Sequence, residues 1–415
     1  MIDYGGKMKI KFSIQKIMAF TIAYMVSFLG LLNCVNALTN AIGFNTVLDT
    51  VIMYALLWAL AILTWMCAMK RSYFRGDSFL LLLIFAILFF IACFMLPKNA
   101  EYIILPDATL FDNPILVFFV YSLTGYAAIR CLYNYEELFH YMYLLSYAVV
   151  ILSVAVFFFV RDSFAGQYMT LSYNMLLHTC FLFVFPKKRR RWLHYSVVAL
   201  GMFVIAFGGA RGALVGLLCA ILMKLLVSGM RLNATKGIVV TVAFIIVAVT
   251  VILFYEQILL FVIYLLESVG ISSRNLKLLM SQSGDISSGR FGVYSRIIDN
   301  ISWLGYGLFG DRVVLDGIYA HNLFFEWIAE FGIVGGALLS AALIGILIVA
   351  FKKGNRTARA LLTVFIPNGI IGLLFSGSYL GQQPCFYVLV GLCINIAVQA
   401  KGTDFSWHSI QSDQL

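Results

Sequence analysis

SQSGDISSGRFGVYSRIIDNISWLGYGLFGDRVVLDGIYAHNLFFEWIAEF, residues 281–331, interrupts a chain that is otherwise a succession of long apolar runs. Arg290, Arg296, Arg312, Asp285, Asp299, Asp311, Asp316, His321, Glu326 and Glu330 crowd into it, with glycines at 284, 289, 292, 305, 307, 310 and 317. Charge is scarce elsewhere. Only 12% of the 415 residues are Asp, Glu, Lys or Arg, and 62% are hydrophobic. A polar island in so apolar a chain points to ligand binding or chemistry.

The runs around it decide the fold class. At a mean hydropathy of +0.95 the chain is too apolar for one water-soluble core. Repeated apolar stretches of about 20 residues match the length a helix needs to cross a bilayer, where every backbone polar group must be paired internally. The expected architecture is all-α and polytopic, a single integral membrane domain over 1–415. The expected spans are 14–34, 47–68, 78–96, 114–132, 138–160, 168–185, 192–207, 212–229, 237–255, 333–351, 361–376 and 385–399. A large loop, 256–320, separates the ninth from the tenth, and 258–271 within it is apolar enough for an interfacial or re-entrant helix. Lys7, Lys9, Lys11 and Lys16 precede the first span. That run is long and no small-residue cleavage site follows, which reads as a retained anchor.

Lysine and arginine set the orientation. With the N-terminus inside, only Lys98, Arg161, Arg211, Arg274, Lys277, Arg290, Arg296 and Arg312 of the 29 basic residues fall outside. Twelve spans with both ends cytoplasmic satisfy the positive-inside rule, and the 256–320 loop is extracytoplasmic. The net charge of +10 is therefore topological, and nucleic acid is not expected as a partner. No Cys/His spacing suits a metal and no glycine-rich phosphate loop is present. Cys34 and Cys385 are the two cysteines near the outer face, and nothing in their spacing argues for a bridge. Residues 163–255 contain no Asp or Glu, and no expected span carries a carboxylate at its middle. A coupled transporter would place ionisable groups there.

The ionisable groups gather instead at the outer boundary. His140, His178, His194 and His408 read as packing, hydrogen-bonding or interfacial residues. His321 alone reaches the outer face. Asn322 is a good N-cap, and Leu323, Phe324, Trp327, Ile328 and Phe331 recur with helical spacing. His321 thus precedes a helix N-terminus, where the dipole disfavours imidazolium and attracts anions. Glu326 and Glu330 lie i,i+4 on another face of that helix. Arg211, in AFGGARGALVG, sits on a very short outer turn at headgroup depth, where a planar guanidinium suits phosphate oxygens. Arg290, in SSGRFGVYSR, is flanked by glycine and a Phe-Gly pair, and Arg296 follows on the helix containing 293–301. Snorkelling to headgroups is the plainer use of these arginines, as interfacial anchoring is of Tyr306, Tyr319, Phe324 and Trp327.

GGARGAL at the start of a span, SSGR in a large outer loop, WLGYGLFG, and AHNLFFEWIAEFGIVGG entering the next span occur in that order. Together they resemble the bacterial O-antigen ligase and polymerase superfamily across the second half of the chain. YMTLSYNMLL at 168–177 is similar to the polymerases of capsule and exopolysaccharide clusters. The resemblance implies a C-type glycosyltransferase fold in the bacterial cytoplasmic membrane. It implies metal- and cofactor-independent, inverting transfer of an oligosaccharide from undecaprenyl diphosphate at the outer face. His321 would be the base on the acceptor hydroxyl, and Arg211 and Arg290 would hold the diphosphate. Arg296, Arg312, Asn322, Glu326 and Tyr319 complete the expected substrate-contacting set, and a chain-length regulator is an expected partner. Transfer to lipid A-core by a ligase of lipopolysaccharide assembly, a flippase, and a non-catalytic assembly protein are the competing readings.

Overall fold

Length and composition divide the helices into three groups. A computed structural model describes residues 13–44, 46–70, 72–105, 113–133, 135–160, 168–187, 190–208, 210–229 and 290–399, with isolated positions between 242 and 264. Every element in the described residues is helical. Seven helices are long and apolar enough to cross a membrane: α1 (Ile14–Ala41), α2 (Thr46–Ala68), α3 (Gly76–Phe94), α5 (Pro114–Cys131), α6 (Tyr135–Phe159), α12 (Leu323–Lys353) and α13 (Arg356–Phe375). Four further apolar helices are shorter: α7 (Tyr168–Val184), α8 (Arg191–Phe207), α9 (Arg211–Gly229) and α14 (Pro384–Gln399). Three small helices, α4 (Pro97–Ile103), α10 (Arg290–Asp299) and α11 (Gly310–Val314), carry the polar connections. These helices fall where the apolar runs predict them. The expected span at 237–255 and the apolar segment at 258–271 lie outside the described residues.

The outward faces of α2, α3 and α12 say which solvent they meet. Leu80, Leu83, Phe90 and Phe94 on α3 are each more than half exposed, as are Ile52 and Met66 on α2 and Leu338 on α12. A contiguous apolar surface of that extent is disfavoured in water and matched by lipid. We therefore read the chain as a multi-pass membrane protein. The interior is packed with aliphatic and aromatic side chains, including Met18, Ile22, Phe118, Phe181, Leu362 and Phe365.

The connections sort into two ends, as alternating helices require. At one end Arg130 of α5 pairs with Asp77 of α3 at 2.6 Å and bonds Asn395 of α14. His194 bridges Tyr147 (2.6 Å) and the Leu182 carbonyl (3.0 Å) near that end, and buried His178 bonds Ser146 (3.0 Å). Both are tied into the packing, as expected of them. At the other end Asn99 of α4 donates to the carbonyls of Tyr306 (2.8 Å) and Leu308 (2.7 Å), and Ser122 donates to that of Gly381 (2.7 Å). All eight cysteines are free, and Cys34 lies 3.2 Å from the Ser153 hydroxyl.

The glycines of WLGYGLFG are explained at that second end. The helix α12 breaks at Gly332, whose φ of 71° and ψ of −179° form a combination essentially closed to other residues. The break frees carbonyls, and the 302–307 loop docks there. Tyr306 N–H donates to Ala329 O and Gly307 N–H to Glu330 O, both at 2.9 Å, while Ile333 N–H returns to Ser302 O at 3.1 Å. A Cβ on Gly332 would strike the Trp303 carbonyl. Residues 323–331 are thus a separate segment ahead of the apolar run that begins at 333. Gly332→Ala is expected to cost about 1–3 kcal/mol of stability from backbone strain alone, read as a lower melting temperature of purified protein in detergent. An unchanged melting temperature would show that the break is not required.

Candidate functional site

The polar end is assembled from the starts of helices. α9 opens at Arg211 and α10 at Arg290, while His321 and the N-cap Asn322 open α12. Gly212 lets α9 approach α7 and α13 closely. A Cβ there would collide with the Tyr173 hydroxyl and lie 2.6 Å from Cβ of Phe375. The Arg290 guanidinium lies 6.0 Å from the centre of the Phe375 ring. Arg290 acts electrostatically on both Tyr173 and His321, and Tyr319 acts on Tyr173. The rings of Tyr319 and His321 are in contact, tilted by 41° with centroids 3.8 Å apart. Arg290, His321, Tyr319, Tyr173 and the Gly212 backbone therefore gather at one place. The Arg211 side chain lies outside the described residues, although its helix position puts its backbone beside Gly212.

His321 is held in a conformation that few side chains adopt. Its φ is 54°, in the left-handed region, where a non-glycine residue persists only if its neighbours fix it. They do so on both sides. Asn322 Oδ1 accepts from the N–H groups of Phe324 (3.0 Å) and Phe325 (3.4 Å), and Ala320 N–H donates to Asp311 (2.8 Å). Burial lowers the pKa of the half-buried imidazole below its usual 6.5, and the Arg290 guanidinium lowers it further. The direction agrees with the helix-dipole expectation, but the causes are burial and Arg290. Both influences favour the neutral ring, the form that can accept a proton.

Beneath the histidine lies a cluster that the sequence reading placed differently. Asp311, Glu326 and Glu330 are 1–2% exposed, with one oxygen of each within 4.8 Å of the others. Glu330 accepts from Phe309 N–H (2.8 Å) and from the Tyr379 hydroxyl. Glu326 accepts from the Ser378 hydroxyl and from Tyr379 N–H (3.3 Å). Burial raises the Asp311 pKa above the usual carboxylate range, and neighbouring Arg312 opposes that rise. Three acidic groups so close are the arrangement that could share a cation. Each already accepts hydrogen bonds from protein donors.

The remaining expected contacts take bracing positions. Glu326 is shut away from any substrate and holds the loop at Ser378 and Tyr379. Asn322 Oδ1 is used as the helix cap. Arg296, half exposed, pairs with Asp316 at 2.6 Å and donates to Val314 O at 3.1 Å. The Arg312 guanidinium lies 4.1 Å from the centre of the Phe309 ring. Tyr319, by contrast, lies directly against His321, its ring tilted 41° to the imidazole. Sequence reasoning missed Tyr173, Asn99, Ser378, Tyr379 and Gln383. For Ser378, Tyr379 and Gln383 the signal is SGSYLGQQP at 376–384, a polar run between two apolar helices; Tyr173 and Asn99 carry no comparable local signal. No protein-family model, curated protein or solved structure matches the chain.

The brace has a pH signature. A carboxyl whose folded pKa is raised favours the folded state when protonated, and that contribution is lost as pH rises through the folded value. Asp311→Asn keeps an acceptor for Ala320 without the charge. Its melting temperature is expected to exceed that of the wild type at pH 8 and to fall less as pH rises from about 4, near the unfolded carboxylate value, to 8, measured by thermal scans in detergent. Parallel curves for the two proteins would contradict a raised Asp311.

Proposed function

We propose that the chain is a polysaccharide polymerase that joins undecaprenyl-diphosphate-linked oligosaccharide repeat units at the outer face of a bacterial cytoplasmic membrane. The observation that carries this reading is the gathering of His321, Arg290 and Tyr319 at the head of a helix and next to the start of α9. The reading takes α7, α8, α9 and α14 as spans with the seven longer helices and adds one at 237–255, which makes twelve with both termini cytoplasmic. The fold would then be of the C-type glycosyltransferase kind, and the order of motifs from GGARGAL to AHNLFFEWIAEF supports that assignment.

In this mechanism the acceptor hydroxyl approaches the His321 ring, which takes its proton as the oxygen attacks the anomeric carbon. The bond to the diphosphate oxygen breaks on the opposite face, and the configuration inverts. Arg211 and Arg290 neutralise the charge that develops on the departing diphosphate, a stabilisation that strengthens where water is excluded. Lipid diphosphate is already a good leaving group, so the step needs neither nucleotide nor metal. A ligase that passes the glycan to lipid A-core would share donor, base and arginines and differ in its acceptor. A flippase would use the arginines for binding alone.

The test is incubation of purified protein with its undecaprenyl-diphosphate-linked repeat unit as the sole saccharide, resolved on a gel. The wild type is expected to give a ladder, and His321→Ala to lose about 10²–10⁴-fold in rate, the usual contribution of a positioned general base. Transfer only after addition of lipid A-core would make the protein a ligase. Silence with every acceptor would end the enzymatic reading.

The electrostatic coupling adds a pH prediction. With Arg290 present, protonation of His321 is disfavoured, and activity persists into mildly acid solution. Arg290→Gln removes one of the two downward influences, so the acid limb of the residual activity is expected to move to higher pH. An unmoved limb would mean that His321 is not the titrating base, or that Arg290 does not act on it.

A further inference from the structure

A cavity of about 210 Å³ opens beside Tyr173, lined by Tyr121, Asn174, Asn368, Gln382 and Gln383 with the aliphatic side chains of Leu29 and Leu177. One water needs only about 10–15 Å³ of such space, so the cavity has room for a ring-sized ligand. Its polar lining is amide and hydroxyl throughout, and none of its lining residues is charged at neutral pH.

Several features of the fold converge on it. Two of the three long helices that border the cavity widen into a π-helical turn there, Phe118–Leu123 in α5 and Pro367–Ile371 in α13, while α1 passes it as a regular helix. Tyr121 and Asn368 stand in those two turns. In α13 the cause is Pro367, which lacks an N–H and cannot complete the helical ladder, and such turns recur at functional sites. Asn368 donates one amide N–H to Val364 O at 3.2 Å, which leaves its carbonyl oxygen and its second N–H to offer. Asn174 lines the cavity, and its Nδ2 is buried without a hydrogen-bond partner, so a turn of this amide toward a ligand relieves an unpaired donor and breaks no bond of that atom.

The loop bearing Gln382 and Gln383 is fixed from two sides. Glu326 holds Ser378 and Tyr379, and Ser122 holds both the Gly381 carbonyl (2.7 Å) and the Gln383 N–H (3.0 Å). The two amides are therefore presented on rigid backbone. Tyr173 belongs to the cavity lining and to the neighbourhood of Arg290 and Gly212 alike. A ligand lying in the cavity reaches the candidate active site through it. A lipid chain would satisfy the leucines but leave the amides unpaired, at a cost for each. A phosphate would find no cation. The ligand that fits is uncharged and rich in hydroxyls, with apolar ring faces.

We propose that this cavity is a saccharide subsite that takes one uncharged pyranose ring of the glycan, an assignment that rests on the glycosyl-transfer reading. Asn174, Asn368 and Gln383 pair with ring hydroxyls, and Tyr121 and Tyr173 flank the ring. The ring is supplied either by the lipid-linked donor or by the non-reducing end of the acceptor glycan.

Titrations with the full-length protein in lipid nanodiscs test this, in a His321→Ala background so that no glycan is consumed. Three probes are compared: bare undecaprenyl diphosphate, the undecaprenyl-diphosphate-linked oligosaccharide purified from the producing cells, and that oligosaccharide freed from its lipid by mild acid. Added to this background, Asn174→Leu and, on the separate loop, Gln383→Leu are each expected to weaken a glycan-bearing probe about tenfold, with bare lipid diphosphate bound as before. If the free oligosaccharide binds and is weakened, the ring belongs to the acceptor. If only the lipid-linked form is affected, it belongs to the donor. Unchanged glycan binding by both variants would overturn the subsite and leave the polymerase reading intact, as would equal binding of bare and glycosylated lipid by the parent protein. Failure of the parent protein to bind either diphosphate would instead overturn the glycosyl-transfer reading, and the subsite with it.

Discussion

Asp311, Glu326 and Glu330 are three carboxyl groups removed from water, and the polar end of the molecule depends on how they are satisfied. An isolated buried carboxylate is expensive enough that it must find donors or keep its proton. Here the donors come from distant segments: Phe309 and Ala320 from the large loop, Ser378 and Tyr379 from the connection between α13 and α14. Ala320 is the neighbour of His321, and Tyr379 stands three residues before Gln382. One cluster thus fixes the candidate base and the rim of the neighbouring cavity.

Backbone conformation does the rest of the positioning. The glycine at 332 interrupts α12 so that a short helix can face the polar end while the following apolar run presents mostly exposed side chains, among them Leu338, Ile344 and Ile348, on its outer surface. The carbonyls freed at the break receive the WLGYG loop, and Asn99 of α4 clamps the next turn of that loop. His321 stays in its left-handed conformation because the residues on both sides are already committed, one to a helix cap and one to the brace. Local strain is maintained by long-range hydrogen bonds, which fits a site whose geometry matters more than its own stability.

Much of this was legible in sequence. The helices follow from apolar runs, because a segment that must pair its backbone internally in lipid leaves a long unmistakable composition. The cap at Asn322 followed from residue type and position. The roles of Glu326 and Glu330 did not. Their i,i+4 spacing says that they share a face of a helix, but not that the face turns inward. Glu330 meets Tyr379 across 49 residues, a closure that no local pattern encodes. The π-helical turn in α13 has a visible cause in Pro367, whereas the one in α5 has none that we can name. SGSYLGQQP looks like a polar connection until tertiary packing sets it against Tyr121 and Asn174. Residues 265–289, which contain SSG before Arg290, lie outside the described residues.

The most direct test of the account is a cryo-electron-microscopy map of the protein in nanodiscs with undecaprenyl diphosphate bound. The account predicts diphosphate density between Arg211 and Arg290, with the His321 ring on the side where the sugar would attach. Density elsewhere would contradict it. So would a His321 ring facing lipid, or one more than about 20 Å from both arginines, well beyond the few-ångström reach of hydrogen-bonded contacts to one diphosphate.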